Sequence, residues 1–341
     1  MKKKLILLFN IFISFATLTS CNFIKANKTN YMSINIMVFD TMVDIKINNK
    51  YSNTHLKNIA DIYRKIDRYA DNFRSYDGMS VYDLNVEREI PSSDILKSLI
   101  QASIELKEKT NGYFNPFIGR LADKWKEIIK DIKDFEDKKL SKDDINSKLE
   151  LMNSSIDSEL EIMNNSYIEF SDDTIKIVGD ANLDLGGIAK GYATELAHQY
   201  LIDNEIDDFL IDAGNSNILL GNRDKGYNVG LSKPYSDSYY KSLNLTDKSI
   251  GTSSPKYQGS EFNDFRYHHL ISPYTGLPVN NYSSVTVICD NSTYADVFST
   301  AIFTMDIDTA KEFAKDNNIG ILLCSDNEII YEKVDTESEE V

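Results

Sequence analysis

Two stretches of the sequence place reactive residue types at useful spacing. In DLGGIAKGYATELA (184–197), Gly186 and Gly187 stand directly before a helical apolar pattern, with Lys190 inside its first turn. A helix N-terminus offers free N–H groups and a partial positive charge, and glycine lets a ligand approach the backbone. The pattern suits an anion such as a phosphate. A tight strand-to-helix turn with a solvated Lys190 would use the same residues. In TYADVFSTAIFTM (293–305), Asp296 and Thr300 are four apart and so share one helix face. A carboxylate and a hydroxyl are hard oxygen ligands suited to magnesium, and no thiol or imidazole joins them to favour zinc. An acidic first turn and a threonine bonding back along its helix are the plainer alternative.

Further groups stand elsewhere. RYHHLISPYTGLPV (266–279) carries His268 and His269 on opposite faces of a strand, so one of them faces any site there. A histidine beside phosphate can serve as acid or base near neutral pH. Tyr76, Tyr113 and Phe114 are aromatic residues in turn contexts, where a ring can stack on a planar ligand.

The elements that position these residues follow from periodicity. Alternation marks strands at Ile34–Val38 and Val43–Ile47, and apolar spacing marks a helix from Leu56 to Tyr69. Ser92 or Ser93 caps another helix, closed by Gly112. Residues 124–163 are charged and helical and read as a solvated insertion, and 167–178 reads as a hairpin. A helix starts near Gly187, and strands are predicted at 208–212, 217–220, 227–231, 248–252 and 265–271. The last third runs strand, helix, helix, strand. Strands and helices do not alternate regularly, which predicts an α+β fold with a mixed β-sheet and packed helices rather than a doubly wound one.

The N-terminal MKKKLILLFNIFISFATLTSC has a positive start, a short apolar core and small residues before Cys21. This is the pattern of a secretory signal over residues 1–20, and Leu-Thr-Ser-Cys matches a lipoprotein processing site. Lipid on Cys21 would anchor the chain to the extracytoplasmic membrane face through a short tether over 21–30. Residues 335–341 form an acidic tail. The net charge of -16 argues against nucleic acid or an anionic lipid surface as partner. An acidic chain that binds an anion then needs a metal ion or helix ends for local relief. Cys289 and Cys324 lie in apolar runs and read as buried free thiols, with a disulfide left open.

In this order, FDT (39–41), RSYDGMSVYDLN (74–85), NGYFNPFIG (111–119), DLGGIAKGYA, LIDAGNSN (210–217), SIGTSS (249–254), HLISPYTG (269–276) and YADVFSTAIF resemble the ApbE family, the FAD:protein FMN transferases. The resemblance spans residue 32 to about residue 330, a single T-fold-like catalytic unit over 31–334. It implies transfer of FMN from FAD to a Ser or Thr hydroxyl of an acceptor protein, with magnesium and release of AMP. An Nqr- or Rnf-type subunit or an FMN-binding-domain protein is the implied acceptor. Phe39 and Tyr76 would flank the flavin, and Tyr113, Phe114 and Asn115 would line the FAD pocket. Asp184, Lys190 and Leu270 would complete the FAD contacts. The Gly187 carbonyl, Asp296 and Thr300 would hold magnesium. His269 or a carboxylate near the metal would be the base, with Asp296 the better metal ligand. The chain departs from the family at Asn115 and Ser272, in SSPKY (253–257) and in DAGNSN. Two rivals remain open: an FAD pyrophosphatase giving FMN and AMP, and a non-catalytic flavin-holding surface lipoprotein.

Overall fold

The structure, a computed structural model, describes residues 30–256 and 258–334. The leader over 1–20, Cys21 with nearly all of its tether, Tyr257 and the acidic tail lie outside the described residues.

The chain opens with a hairpin, β1 (Tyr31–Val38) and β2 (Thr41–Asn48), followed by α1 (Thr54–Ala70), α2 (Val81–Glu87), β3 (Glu89–Pro91) and α3 (Asp94–Lys109). A 3₁₀ turn (Pro116–Ile118) leads into α4 (Gly119–Glu136) and α5 (Lys142–Asn165). The hairpin β4 (Tyr167–Phe170) and β5 (Thr174–Val178) precedes α6 (Ala189–Asp203). Next come β6 (Phe209–Ala213), β7 (Asn217–Leu220), β8 (Tyr227–Ser232), β9 (Tyr239–Leu245), β10 (Lys248–Ser253), β11 (Gly259–Phe262) and β12 (Phe265–His268). The last third is β13 (Ser284–Cys289), α7 (Ser292–Phe303), α8 (Ile307–Asp316), β14 (Gly320–Cys324) and β15 (Ile329–Lys333).

Eight strands form the central sheet in the order β1-β2-β6-β7-β10-β13-β14-β15. The class is α+β, as the pattern predicts. In detail, every neighbouring pair in this sheet runs antiparallel, even where a helical block separates the strands in sequence, as between β2 and β6. Side chains alternate faces along a strand, so Val285, Val287, Ile321 and Leu323 enter the main core while Ile288 and Leu322 join a second cluster under the β8–β9 hairpin. On the core face, α7 packs on β10 and β13, α6 packs on α7, and α1 packs on α6. The two helices that carry Lys190 and Asp296 are thus clamped between a sheet and another helix.

Several expectations need correction. The α4–α5 pair is no solvated insertion: Trp125, Ile128, Ile132, Ile145, Met152 and Ile156 are buried. Charged residues cover only its outer face. Between the two helices, the buried Glu159 carboxylate accepts from Arg120 at 2.7 and 3.0 Å and pairs with Lys124 at 2.9 Å. Tyr76 lies in a bend, as its turn context predicts, and α2 follows it, started by a capping box between Ser80 and Asp83. Cys289 and Cys324 are free thiols at opposite ends of the β13–β14 ladder, in which Ser284 opposes Cys324, and the open disulfide is thereby excluded.

Candidate active site

The turn before α6 is built from the bottom by buried Leu185 and Ile188 and by Asp184, whose Oδ1 accepts the Gly186 N–H at 2.7 Å. In a continuing helix the Gly191 N–H would donate to the Gly187 carbonyl. Here it donates instead to Oδ2 of Asp296, at 2.8 Å. The Gly187 carbonyl consequently accepts no hydrogen bond among the described residues, and the N–H groups of Gly187 and Lys190 find no acceptor there. Glycine is required at 191 by space: a Cβ would lie 2.5 Å from the Asp296 Cβ and 2.5 Å from the Ser292 carbonyl. At Gly187 a Cβ would stand 3.2 Å from the Phe114 ring and 3.7 Å from Thr300 Cγ2, which places the free carbonyl's residue against Thr300.

Helix α7 supplies the opposing wall. Asn291 caps it by accepting the Tyr294 N–H at 2.9 Å. Further back, Glu195 of α6 accepts the Ser292 N–H at 2.7 Å, tying the two helices a second time. Asp296 is buried, and burial pushes its carboxyl above the usual range, while the Lys190 charge and the Gly191 N–H oppose that rise. Its second oxygen has no hydrogen-bond partner among the described residues. The Thr300 hydroxyl makes a long 3.3 Å bond to the Asp296 carbonyl and lies 3.3 Å from the Ser253 hydroxyl, leaving lone pairs to spare. Among the described residues no three His, Cys, Asp or Glu side chains gather as a metal site. The donor set is of another kind: one carboxylate, one hydroxyl and one liberated carbonyl. A buried carboxylate without a cation is costly, and three hard oxygens, two from α7 and one from the turn before α6, fit a magnesium ion completed by water and substrate.

The adjacent histidines divide their roles clearly. His268 is fully buried; its Nδ1 accepts the Leu270 N–H at 3.1 Å and its Nε2 donates to the Val279 carbonyl at 3.1 Å. Both nitrogens are spent on holding the strand. His269 has a buried Nδ1 with no hydrogen-bond partner among the described residues. Burial pushes the pKa of each ring down to about 4; the Gln258 carbonyl beside His269 partly offsets this, while the Lys190 and Lys126 charges add to it. His269 is therefore a neutral imidazole at pH 7, with one nitrogen unpartnered among the described residues.

The remaining candidates fall into two groups. Phe114 is buried in the core against Gly187. Tyr113, beside it, is half-buried, and its carbonyl accepts from Thr304 at 3.4 Å. Asn115 is buried and caps the 3₁₀ turn by accepting the Phe117 N–H at 3.1 Å. Ser272 is buried and accepts the Tyr274 N–H at 3.2 Å. Leu270 is buried, and its carbonyl accepts the Val279 N–H at 3.2 Å. Phe39 lies further off, in the β1–β2 turn at φ 52, where its N–H donates to Asp67 at 2.7 Å. It reaches α6 through Tyr63, whose ring it meets edge-on at 6.5 Å and whose hydroxyl bonds Thr194 at 2.7 Å. Tyr76 packs edge-on to Tyr69 under Arg68. Gly191, Ser253 and Glu195 were missed from the sequence; the only signal was a third glycine four residues after Gly187.

The architecture is that of an α+β unit whose two central helices present an oxygen-lined, lysine-flanked site. The profile of the ApbE family matches residues 39–323, and the chain belongs to that family. Among curated relatives it is 33% identical over 129 residues to an FAD:protein FMN transferase of Klebsiella pneumoniae and 32% identical over 136 residues to one of Treponema pallidum. These matches cover 37% and 36% of this chain and 40% and 38% of those proteins, so the chain spans well under half the length of the curated relatives it matches. The fold is that of the ApbE protein from Thermotoga maritima, with a TM-score of 0.71 at 24% identity over 86% of this chain and 94% of that one. It is also that of a flavin transferase from Vibrio cholerae, at 0.68 and 19% over 89% and 96%.

Proposed function

We propose that the chain transfers FMN from FAD to a Ser or Thr hydroxyl of an acceptor protein and releases AMP. The observation that carries this is the Gly191 N–H turned onto Asp296, which frees the carbonyl of Gly187, a residue packed against Thr300. Asp296, Thr300 and the Gly187 carbonyl would hold magnesium, which when bound would neutralise phosphate charge and stabilise the departing phosphate. Lys190 and the unpaired N–H groups of Gly187 and Lys190 would meet the pyrophosphate oxygens at the start of α6. The acceptor hydroxyl oxygen attacks the phosphorus on the FMN side. A P–O bond to the acceptor forms, the bridging P–O bond breaks, and AMP leaves with the bridging oxygen. His269 takes the hydroxyl proton, which its neutral state permits. Phosphate charge nearby would raise its basicity from the low value burial imposes.

The acceptor is proposed to be an FMN-binding-domain protein or an Nqr- or Rnf-type subunit. Lipid on Cys21 is proposed to keep the enzyme at the outer face of the membrane. No helix among the described residues is long and apolar enough to cross a membrane. The test is the intact mass of a purified FMN-binding-domain acceptor after incubation with the full chain, FAD and magnesium. A gain equal to FMN that disappears with EDTA supports transfer. AMP without a gain means hydrolysis, and neither product means a binding protein. Loss of labelled palmitate from Cys21→Ala cells would be the matching test of the anchor.

A further inference from the structure

Tyr274 is used by nothing described so far. It sits in the SPYTG turn, 57% exposed, yet it is held more firmly than an exposed side chain needs to be. Its N–H donates to Ser272 at 3.2 Å and its hydroxyl donates to the Asn111 carbonyl. Its ring lies on Tyr113, with centroids 4.8 Å apart and planes at 56°. The turn itself is fixed by Gly276 N–H to the Ser272 carbonyl at 2.8 Å and by Trp125 Nε1–H to the Gly276 carbonyl at 2.7 Å.

A ring that is mostly in water contributes little to a core, and ordering it has an entropic cost. Rigid aromatic side chains presented to solvent are what ligand surfaces use, because little freedom is left to lose on binding. The position is also informative. Tyr113 is followed by Phe114, whose ring would lie 3.2 Å from a Cβ at Gly187 of the oxygen triad, and Tyr274 follows His269 by five residues. We propose that Tyr274 and Tyr113 together form a ring platform that receives a planar heteroaromatic ring of the dinucleotide substrate, either isoalloxazine or adenine. The inference rests on FAD being the substrate.

The test is equilibrium titration of the full chain with FAD and with FMN by flavin fluorescence, and displacement of bound FAD by ADP, for wild type, Tyr274→Ala and Tyr274→Phe. Stacking on a side chain of this type predicts about a tenfold weaker FAD affinity for Tyr274→Ala. Tyr274→Phe should stay within about twofold, because the ring remains. Parallel weakening of FMN with ADP unchanged assigns isoalloxazine; the converse assigns adenine. Wild-type FAD affinity in Tyr274→Ala overturns the platform. So does the same affinity combined with a weaker dependence of transfer on acceptor concentration, which would make the ring an acceptor contact. If wild type itself binds no FAD, the substrate reading fails and the platform with it.

Discussion

Substituting alanine for Gly191 tests the positioning of the site at its tightest point. Within a helix, glycine to alanine normally stabilises by about 1 kcal/mol. Here the added Cβ would stand 2.5 Å from both the Asp296 Cβ and the Ser292 carbonyl, and 3.1 Å from the Thr293 Cα. Relief requires α6 and α7 to separate, and overpacking of this kind costs about 1–3 kcal/mol. The overpacking cost outweighs the propensity gain, so the variant should be less stable. At about 2 °C per kcal/mol for a chain of this size, the expected loss is a few degrees in Tm. The separation also removes the N–H from Asp296. A hydrogen bond to a charged group is worth about 1.5–3 kcal/mol, so magnesium activation should shift to about tenfold to a hundredfold higher concentration. Differential scanning calorimetry and a magnesium titration of transfer read the two effects separately. A higher Tm together with an unchanged magnesium dependence would refute the claim that α6 and α7 meet through Gly191.

Other perturbations have signs fixed by the same geometry. Thr300→Val, which keeps shape and removes the hydroxyl, should leave Tm within about 2 °C and reduce transfer at limiting magnesium by about tenfold or more, measured by acceptor mass. Glu195→Ala should weaken magnesium activation by about tenfold while Glu195→Gln restores most of it, because the amide oxygen still accepts the Ser292 N–H. Acid should destabilise the fold: the two histidines are held neutral down to about 4, while the unfolded chain protonates them from about 6.5. Stability is therefore present above pH 6.5 and is lost as pH falls toward 4, by about 3 kcal/mol per histidine at the bottom of the window. Urea unfolding at pH 7 and pH 4.5 would show it, and His269→Asn should flatten part of the slope. Asp296, whose carboxyl is pushed up, acts in the opposite sense above pH 3.8, so it cannot be the source of the acid loss.

Much of the fold was legible because burial imposes period. The helix from Leu56 to Tyr69 and the helix capped at Ser93 each carry an apolar stripe that one sequence displays. The α4–α5 pair was misjudged because its charged face outnumbers a stripe made by Trp125, Ile128 and Ile132. The short strands β3 and β11 were not anticipated, since three or four residues carry too little alternation to register. Within the site, residue types and local spacing pointed to Gly187, Lys190, Asp296 and Thr300. The bond that organises them joins Gly191 to Asp296 across 105 residues and has no local signature. The choice between His268 and His269 depended on Val279, eleven residues away, whose carbonyl takes up the first ring. Two departures from the family pattern turn out to be conservative in geometry: Asn115 and Ser272 each accept a backbone N–H two residues on.

The most direct test of the oxygen triad is Asp296→Asn, assayed by acceptor mass across magnesium concentrations at saturating FAD. Asparagine keeps an oxygen for the Gly191 N–H and removes only the charge, so the fold should persist with a Tm near wild type. Transfer should fall by at least about a hundredfold and should not recover at millimolar magnesium. A variant that transfers FMN with the wild-type magnesium dependence would contradict the assignment of Asp296 as the metal's charged ligand.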